Sequence, residues 1–229
     1  MKEPDHLPLI TPLNEGAVAV TFGHSINKEI YRKVTWLRDF LLENPFPGQD
    51  SVVPAYATLT VFFDPQHAVL RQSRGQEWPT GIVVNFLRQA LKTMPADEKT
   101  PEITPLIDIP VRYNGPDLSE VAAQLQITTQ EVVRLHTGNT YSVFMIGFLP
   151  GFPYMGPLPE ALQLPRRATP RLRVAAGSVA IAGAQTGIYP LQSPGGWHII
   201  GHTDITLFNP TARPPSLLQP GMQVRFIAT

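Results

Sequence analysis

Residues 147–203 read GFLPGFPYMGPLPEALQLPRRATPRLRVAAGSVAIAGAQTGIYPLQSPGGWHIIGHT, and the rest of the chain is organised around them. Nine of the 17 glycines fall here, with prolines 150, 153, 157, 159, 165, 170, 190 and 194. Flexible linkers are poor in large apolar groups. In this stretch Phe148, Phe152, Tyr154, Ile181, Ile188, Tyr189, Trp197 and Ile199 alternate with the turn formers, which predicts short strands and rigid loops on a packed core. Glycine supplies positive φ or close backbone approach, and proline fixes φ without offering a donor. Loops held in set shapes on a scaffold are where binding residues gather.

Toward the N-terminus, GAVAVTF at 16–22 suits a buried strand. Ser25 follows as a candidate N-cap, with Ile30, Val34, Leu37, Phe40 and Leu41 at helical spacing. VVPAYATLTVFF at 52–63 predicts a strand pair or bent strand, Pro54 forcing an edge or a bulge. Ile82, Val83, Phe86, Leu87, Ala90 and Leu91 mark a second amphipathic helix. The order β-α-β-α predicts an α/β sandwich of ferredoxin-like kind over residues 1–98. MPADEKTPEITP at 94–105 is charged, bears prolines and carries no apolar periodicity, so a domain boundary is expected there. Limited proteolysis is expected to cut first within 94–105; first cuts confined to 16–91 or 110–226 would contradict that boundary.

The second domain, 104–229, opens with LIDIPVRY as a strand, followed by two short helices, DLSEVAAQL and TTQEVVRL. In the latter, Thr128 and Glu131 have capping-box spacing. From Tyr141 to Phe226 the pattern is one of strands and turns, a closed or sandwiched β domain. The fold class expected is therefore α+β.

With 18 basic and 18 acidic residues and a formal charge of zero, nothing pulls the chain as a whole toward nucleic acid or anionic membrane. There is no cysteine, which removes disulfides and thiolate metal sites and is compatible with a reducing compartment. MKEPDHLPLITPL has no continuous apolar core, so no signal peptide is expected, and no run approaches the ~20 apolar residues of a membrane span. A cytoplasmic location is the expectation.

Charge within the second half is less even. Between Val132 and Thr203 the only carboxylate is Glu160, against Arg134, Arg166, Arg167, Arg171 and Arg173. Arginine clamps carboxylates and phosphates in bidentate geometry, although solvated stems covering apolar surface read the same way. Arg166, Arg167 and Arg171 are the candidate anion ligands, on a face whose positive potential is expected to be unneutralised. His198 and His202 are four apart, but on a strand that separates them by ~13 Å, too far for one metal, and no metal site is expected. His198, beside Trp197 in a glycine loop, is the better catalytic candidate; His136, on a helical pattern, is either a proton carrier or a C-terminal cap. Gln185, Thr186, Tyr189 and Ser193 could hydrogen-bond a small amide or carboxylate or satisfy turn backbones. Trp197 reads as core or pocket wall. The chain contains no G-x-S-x-G, no cysteine nucleophile and no phosphate-binding G-x-x-x-x-G-K-[ST].

The blocks GFLPGFPYMG, PRRATPR, AGSVAIAGAQTGIYP and SPGGWHIIGHT, together with IPVRYNGPDL, EVVRLH, YSVFMIGF and LFNP, resemble the KipI/PxpB family, also called allophanate hydrolase subunit 1. That family includes the B component of 5-oxoprolinase and a histidine-kinase inhibitor, and it is similar to half of the carboxyltransferase domain of urea carboxylase. The resemblance runs over roughly 106–210. It departs at Ala175, in VAAGS for VPAGS, and at His202, where an arginine is usual. It implies a cyclophilin-like β-barrel for the second domain. It further implies a component of ATP-dependent 5-oxoprolinase that hydrolyses 5-oxo-L-proline to L-glutamate with subunits A and C (PxpA and PxpC), ATP being bound at the level of the complex. An inhibitor of a sensor histidine kinase, or a component of an allophanate- or urea-processing complex, is the alternative it leaves open.

Overall fold

Leu9–Asn14 (β1) and Ala17–Thr21 (β2) pair as an antiparallel hairpin, and only β2 is buried. The computed structural model describes residues 8–72, 78–95 and 105–229. Two compact units emerge, Met1–Pro101 and Glu102–Thr229. Most of the boundary expected at 94–105, residues 96–104, lies outside the described residues.

In the first unit β2 is followed by a helix at Lys28–Glu43 (α1), strands Gln49–Pro54 (β3) and Thr58–Phe63 (β4), a short helix Ala68–Gln72 (α2) and a helix Pro79–Lys92 (α3). Helix α1 begins two residues later than Ser25 would have set it. Asn27 is its cap, with Oδ1 accepting from the Glu29 N–H at 2.7 Å. The sheet is antiparallel in the order β1-β2-β4-β3, and Val18, Val20, Leu59 and Val61 join Val34, Leu37, Leu41, Val83 and Leu87 of the helices in one core. Pro54 closes β3, an edge strand, where its missing donor is tolerated; the strand's irregularity lies at its other end, between Gln49 and Ser51. A ferredoxin-like sandwich runs β-α-β-β-α-β. Here the order is β-β-α-β-β-α-α, so what is observed is a mixed α/β layer in which the N-terminal β1 occupies the place beside β2. Strand β1 escapes a sequence reading because only Ile10 of it packs partly against the core, so it carries no apolar alternation.

The second unit starts with Leu106–Val111 (β5) and two helices, Leu118–Gln124 (α4) and Thr129–Thr137 (α5). Thr128 caps α5, its Oγ1 accepting from the Glu131 N–H at 3.1 Å, while the Glu131 carboxylate pairs with Arg134. Then come Thr140–Ile146 (β6), Pro153–Gly156 (β7), Arg171–Val174 (β8), Ser178–Ala182 (β9), Gln185–Ile188 (β10), Ser193–Gly195 (β11), His198–His202 (β12) and Gln223–Ala228 (β13). Seven of these strands form a sheet in the order β12-β9-β10-β7-β6-β13-β5, and β8 and β11 form a separate ribbon. The sheet curls until its ends meet. Just past β5, the Arg112 N–H donates to the His202 carbonyl at 2.9 Å and the His202 N–H returns a bond to the Arg112 carbonyl at 2.8 Å. Gly201 permits this join, since a Cβ there would sit 2.7 Å from Val111 Cγ1 and 2.8 Å from the Arg112 carbonyl oxygen.

Alternation sorts side chains between the two faces of this sheet. Val179, Ile181, Ile188, Ile200, Val224 and Phe226 fill the main core, whereas Ala180, Ala182, Tyr189, Trp197 and Ile199 form a second cluster with Phe152 and Val174. Among the described residues no helix is long and apolar enough to cross a membrane.

Candidate functional site

Asp117 precedes α4, yet its side chain does not cap that helix. It is 1% exposed and accepts four hydrogen bonds: from Arg171 Nη1 and Nη2 at 2.7 and 2.6 Å, from Arg167 Nη1 at 2.7 Å and from the Ile199 N–H at 2.7 Å. The Asp117 N–H in turn donates to the Ile199 carbonyl at 3.0 Å. One carboxylate thus ties together the start of α4, the segment 165–171 and the start of β12. The expected unneutralised arginine face is corrected by this geometry. Arg171 and Arg167 are matched by a carboxylate lying outside the 132–203 window, because a guanidinium withdrawn from water requires a partner. Arg167 also reaches Glu120 Oε2 at 3.1 Å.

Arg166 and Arg167 line one groove with His198, Glu120, Gln124 and Thr169, of about 300 Å³. Arg166 is exposed and makes no ion pair among the described residues. It lies close enough to Tyr154 and Tyr189 that its charge partly offsets the upward push burial gives both phenols. His198 is buried at 3% exposure, with Nε2 2.9 Å from the Pro165 carbonyl oxygen. A carbonyl only accepts, so Nε2 carries a proton.

The other residues expected at the site stand apart from this groove. Trp197 and Tyr189 are buried in the aromatic cluster, Trp197 packing edge-on against Phe152 and Tyr154 and Tyr189 edge-on against Phe152. Ser193 donates to the Pro194 carbonyl at 3.0 Å. Gln185 sits on β10 opposite Ala182.

His136 is in the main core, fully buried and stacked on Phe226 with ring centroids 4.4 Å apart. Its two nitrogens are matched in sequence. The Thr186 hydroxyl donates to the Ala180 carbonyl at 3.2 Å, so Thr186 Oγ1 accepts from His136 Nε2–H at 2.9 Å, leaving Nδ1 to accept from the Tyr113 hydroxyl at 2.7 Å. This is a saturated neutral imidazole, and burial pushes its pKa down to about 3. The proton-carrier reading of His136 is replaced by a structural one, since the ring is closed off from solvent with both nitrogens engaged, and Thr186 belongs to the same network.

Asp117 was missed by reading the sequence, where it is one acid in DLSEVAAQL. The signal that could have found it is the arginine surplus itself, which demands a carboxylate from elsewhere in the fold.

Residues 8–218 match the family described as the carboxyltransferase domain, subdomain C and D. The chain belongs to this family. A curated member, the B component of 5-oxoprolinase from Bacillus subtilis, is 38% identical over 221 residues, covering 95% of this chain and 91% of its own. The crystal structure of TTHA0988, with 39% identity and a TM-score of 0.76, covers 93% of this chain, which spans only 40% of that protein. Urea amidolyase of K. lactis superposes over the whole of this chain with a TM-score of 0.77 at 17% identity, sharing the fold, and this chain corresponds to 15% of its length. The C and D subdomains are therefore found both as a separate polypeptide and within longer chains.

Proposed function

We propose that the chain is the B component of an ATP-dependent 5-oxoprolinase, a cytoplasmic assembly that converts 5-oxo-L-proline to L-glutamate with subunits A and C. The observation that carries this reading is identity sustained over nearly the full length of a relative named as the B component of 5-oxoprolinase. The chain's own residues agree with a shared site. It has no phosphate-binding loop or activated nucleophile in sequence, which fits a component that binds ATP only with its companions. The likeness of the second unit to a cyclophilin barrel is part of the same proposal, supported by the curled seven-stranded sheet.

Mixing the purified chain with subunits A and C is expected to give ATP-dependent release of L-glutamate from 5-oxo-L-proline, with no turnover by the chain alone. Tight stoichiometric ATP binding by the isolated chain would overturn the shared site. Consumption of allophanate or urea without loss of 5-oxoproline, or inhibition of a sensor histidine kinase in its place, would overturn the function.

A further inference from the structure

Two buried polar atoms without a hydrogen-bond partner belong to residues on the wall of the same groove: His198 Nδ1 and Arg167 Nε. Such orphans are uncommon in folded proteins and mark places where a water or a ligand completes the bonding. Arg167 engages Asp117 and Glu120 through Nη1 and uses its backbone N–H on the Gly196 carbonyl at 2.9 Å, which leaves Nε–H as a donor in search of an acceptor. His198 holds its Nε2 proton against Pro165, so in the neutral ring Nδ1 presents a lone pair in search of a donor.

The charges point the same way. Arg167 and Arg171 are answered by Asp117 and Glu120, and Arg166, a third cation on the groove, has no ion pair among the described residues. One more negative charge balances the cluster. A polyphosphate would bring several, and at about 300 Å³ the groove is at the lower end of the ~300–1,000 Å³ typical of small-molecule sites.

We propose that the groove between α4 and the segment 165–169 binds a small monocarboxylate that also carries an amide N–H, with Arg166 and Arg167 Nε–H donating to the carboxylate and His198 Nδ1 accepting from the amide. A cyclic amide bearing one carboxylate has both groups on one ring. Naming that ligand as 5-oxo-L-proline rests on the functional reading above; the ligand class rests on the groove alone. Arg171, one of the three candidate anion ligands in the sequence, is a positioning residue in this arrangement because both its terminal nitrogens are engaged by Asp117.

Calorimetry on the full chain, alone and with its companion subunits, tests this with three probes: 5-oxo-L-proline, acetate as the carboxylate alone, and 2-pyrrolidone as the cyclic amide alone. 5-Oxo-L-proline is expected to bind more tightly than either fragment. Arg166→Ala, at an exposed position with no ion pair among the described residues, is expected to weaken 5-oxo-L-proline binding about tenfold to a hundredfold, the range for losing a hydrogen bond to a charged group, while leaving 2-pyrrolidone unchanged. His198→Ala is expected to do the reverse for the fragments, lowering 2-pyrrolidone affinity and sparing acetate. The proposal is overturned if Arg166→Ala binds 5-oxo-L-proline as tightly as the parent in a complex that turns it over. If no complex hydrolyses 5-oxo-L-proline, yet the chain binds it in an Arg166-dependent way, the groove assignment stands and the functional reading fails.

Discussion

Replacing Asp117 by alanine is expected to destabilise the second unit by about 3 kcal/mol, the lower end of the ~3–5 kcal/mol for removing one partner of a buried ion pair. The lower end applies because the side chains of Arg167 and Arg171 keep 23% and 27% of their exposure and can recover some hydration. The loss is more than electrostatic. Ile199 N–H and three guanidinium N–H groups lose their acceptor together, and a buried unpaired donor costs more than the bond was worth. Urea unfolding followed through Trp197, the one tryptophan after residue 78, measures it. Asp117→Asn keeps the shape without the charge and is expected to fall between the two. A change below about 1 kcal/mol for Asp117→Ala would mean that the arginines simply swing into water, and that this carboxylate does not organise the groove. Arg171→Ala removes two of the four bonds and is expected to destabilise as well.

Acid is expected to weaken the second unit through His136. In the unfolded chain an ordinary histidine takes up a proton near pH 6.5, whereas in the folded chain burial delays protonation until about pH 3. Between those values the unfolded state binds more protons, so the stability contributed by the neutral ring is complete above about pH 6.5 and declines as pH falls toward 3. At 1.36 kcal/mol per unit, the decline reaches about 2.7 kcal/mol by pH 4.5. His136→Gln retains a donor toward Thr186 without titrating. The drop in stability between pH 7.5 and 4.5 is expected to shrink by about that amount in the variant, measured by urea unfolding at each pH. Asp108, Glu131 and Asp204, held below the usual carboxylate range by hydrogen bonds from Arg225, Arg134 and Arg112 respectively, also lose their pairs in acid. They are present in both proteins, so the difference isolates His136. Equal acid sensitivity in parent and variant would rule out the buried imidazole as its source.

Local signals were legible where burial is one-sided. Helices α1 and α3 announce themselves because one stripe of each is buried, and Thr128 reads as a cap because its partner is three residues away. What could not be read depends on distance along the chain. Asp117 meets Arg167 and Arg171 across 50 and 54 residues, and no periodicity records such a meeting. Arg166, Arg167 and His198 line one groove, whereas Arg171, Gln185, Tyr189 and Ser193 do not line it. Strands and set loops occupy the glycine-rich quarter, but the aromatic residues in it are mainly a second core, with Tyr189 and Trp197 1% and 5% exposed. His136 illustrates the opposite limit: a histidine at the end of a helical pattern has the same letter whether it faces solvent or a stack of aromatic rings.

Strand β13, the last of the second unit, pairs in parallel with β5, the first, and antiparallel with β6 on its other side. A ribosome releases β5 more than a hundred residues before β13, and until then β5 has no neighbour within the sheet on that side. The barrel-like unit therefore cannot be assembled stepwise during synthesis. It must wait for the hexapeptide 223–228, and a message cut short before Gln223 would yield a product lacking an interior strand rather than a slightly trimmed one.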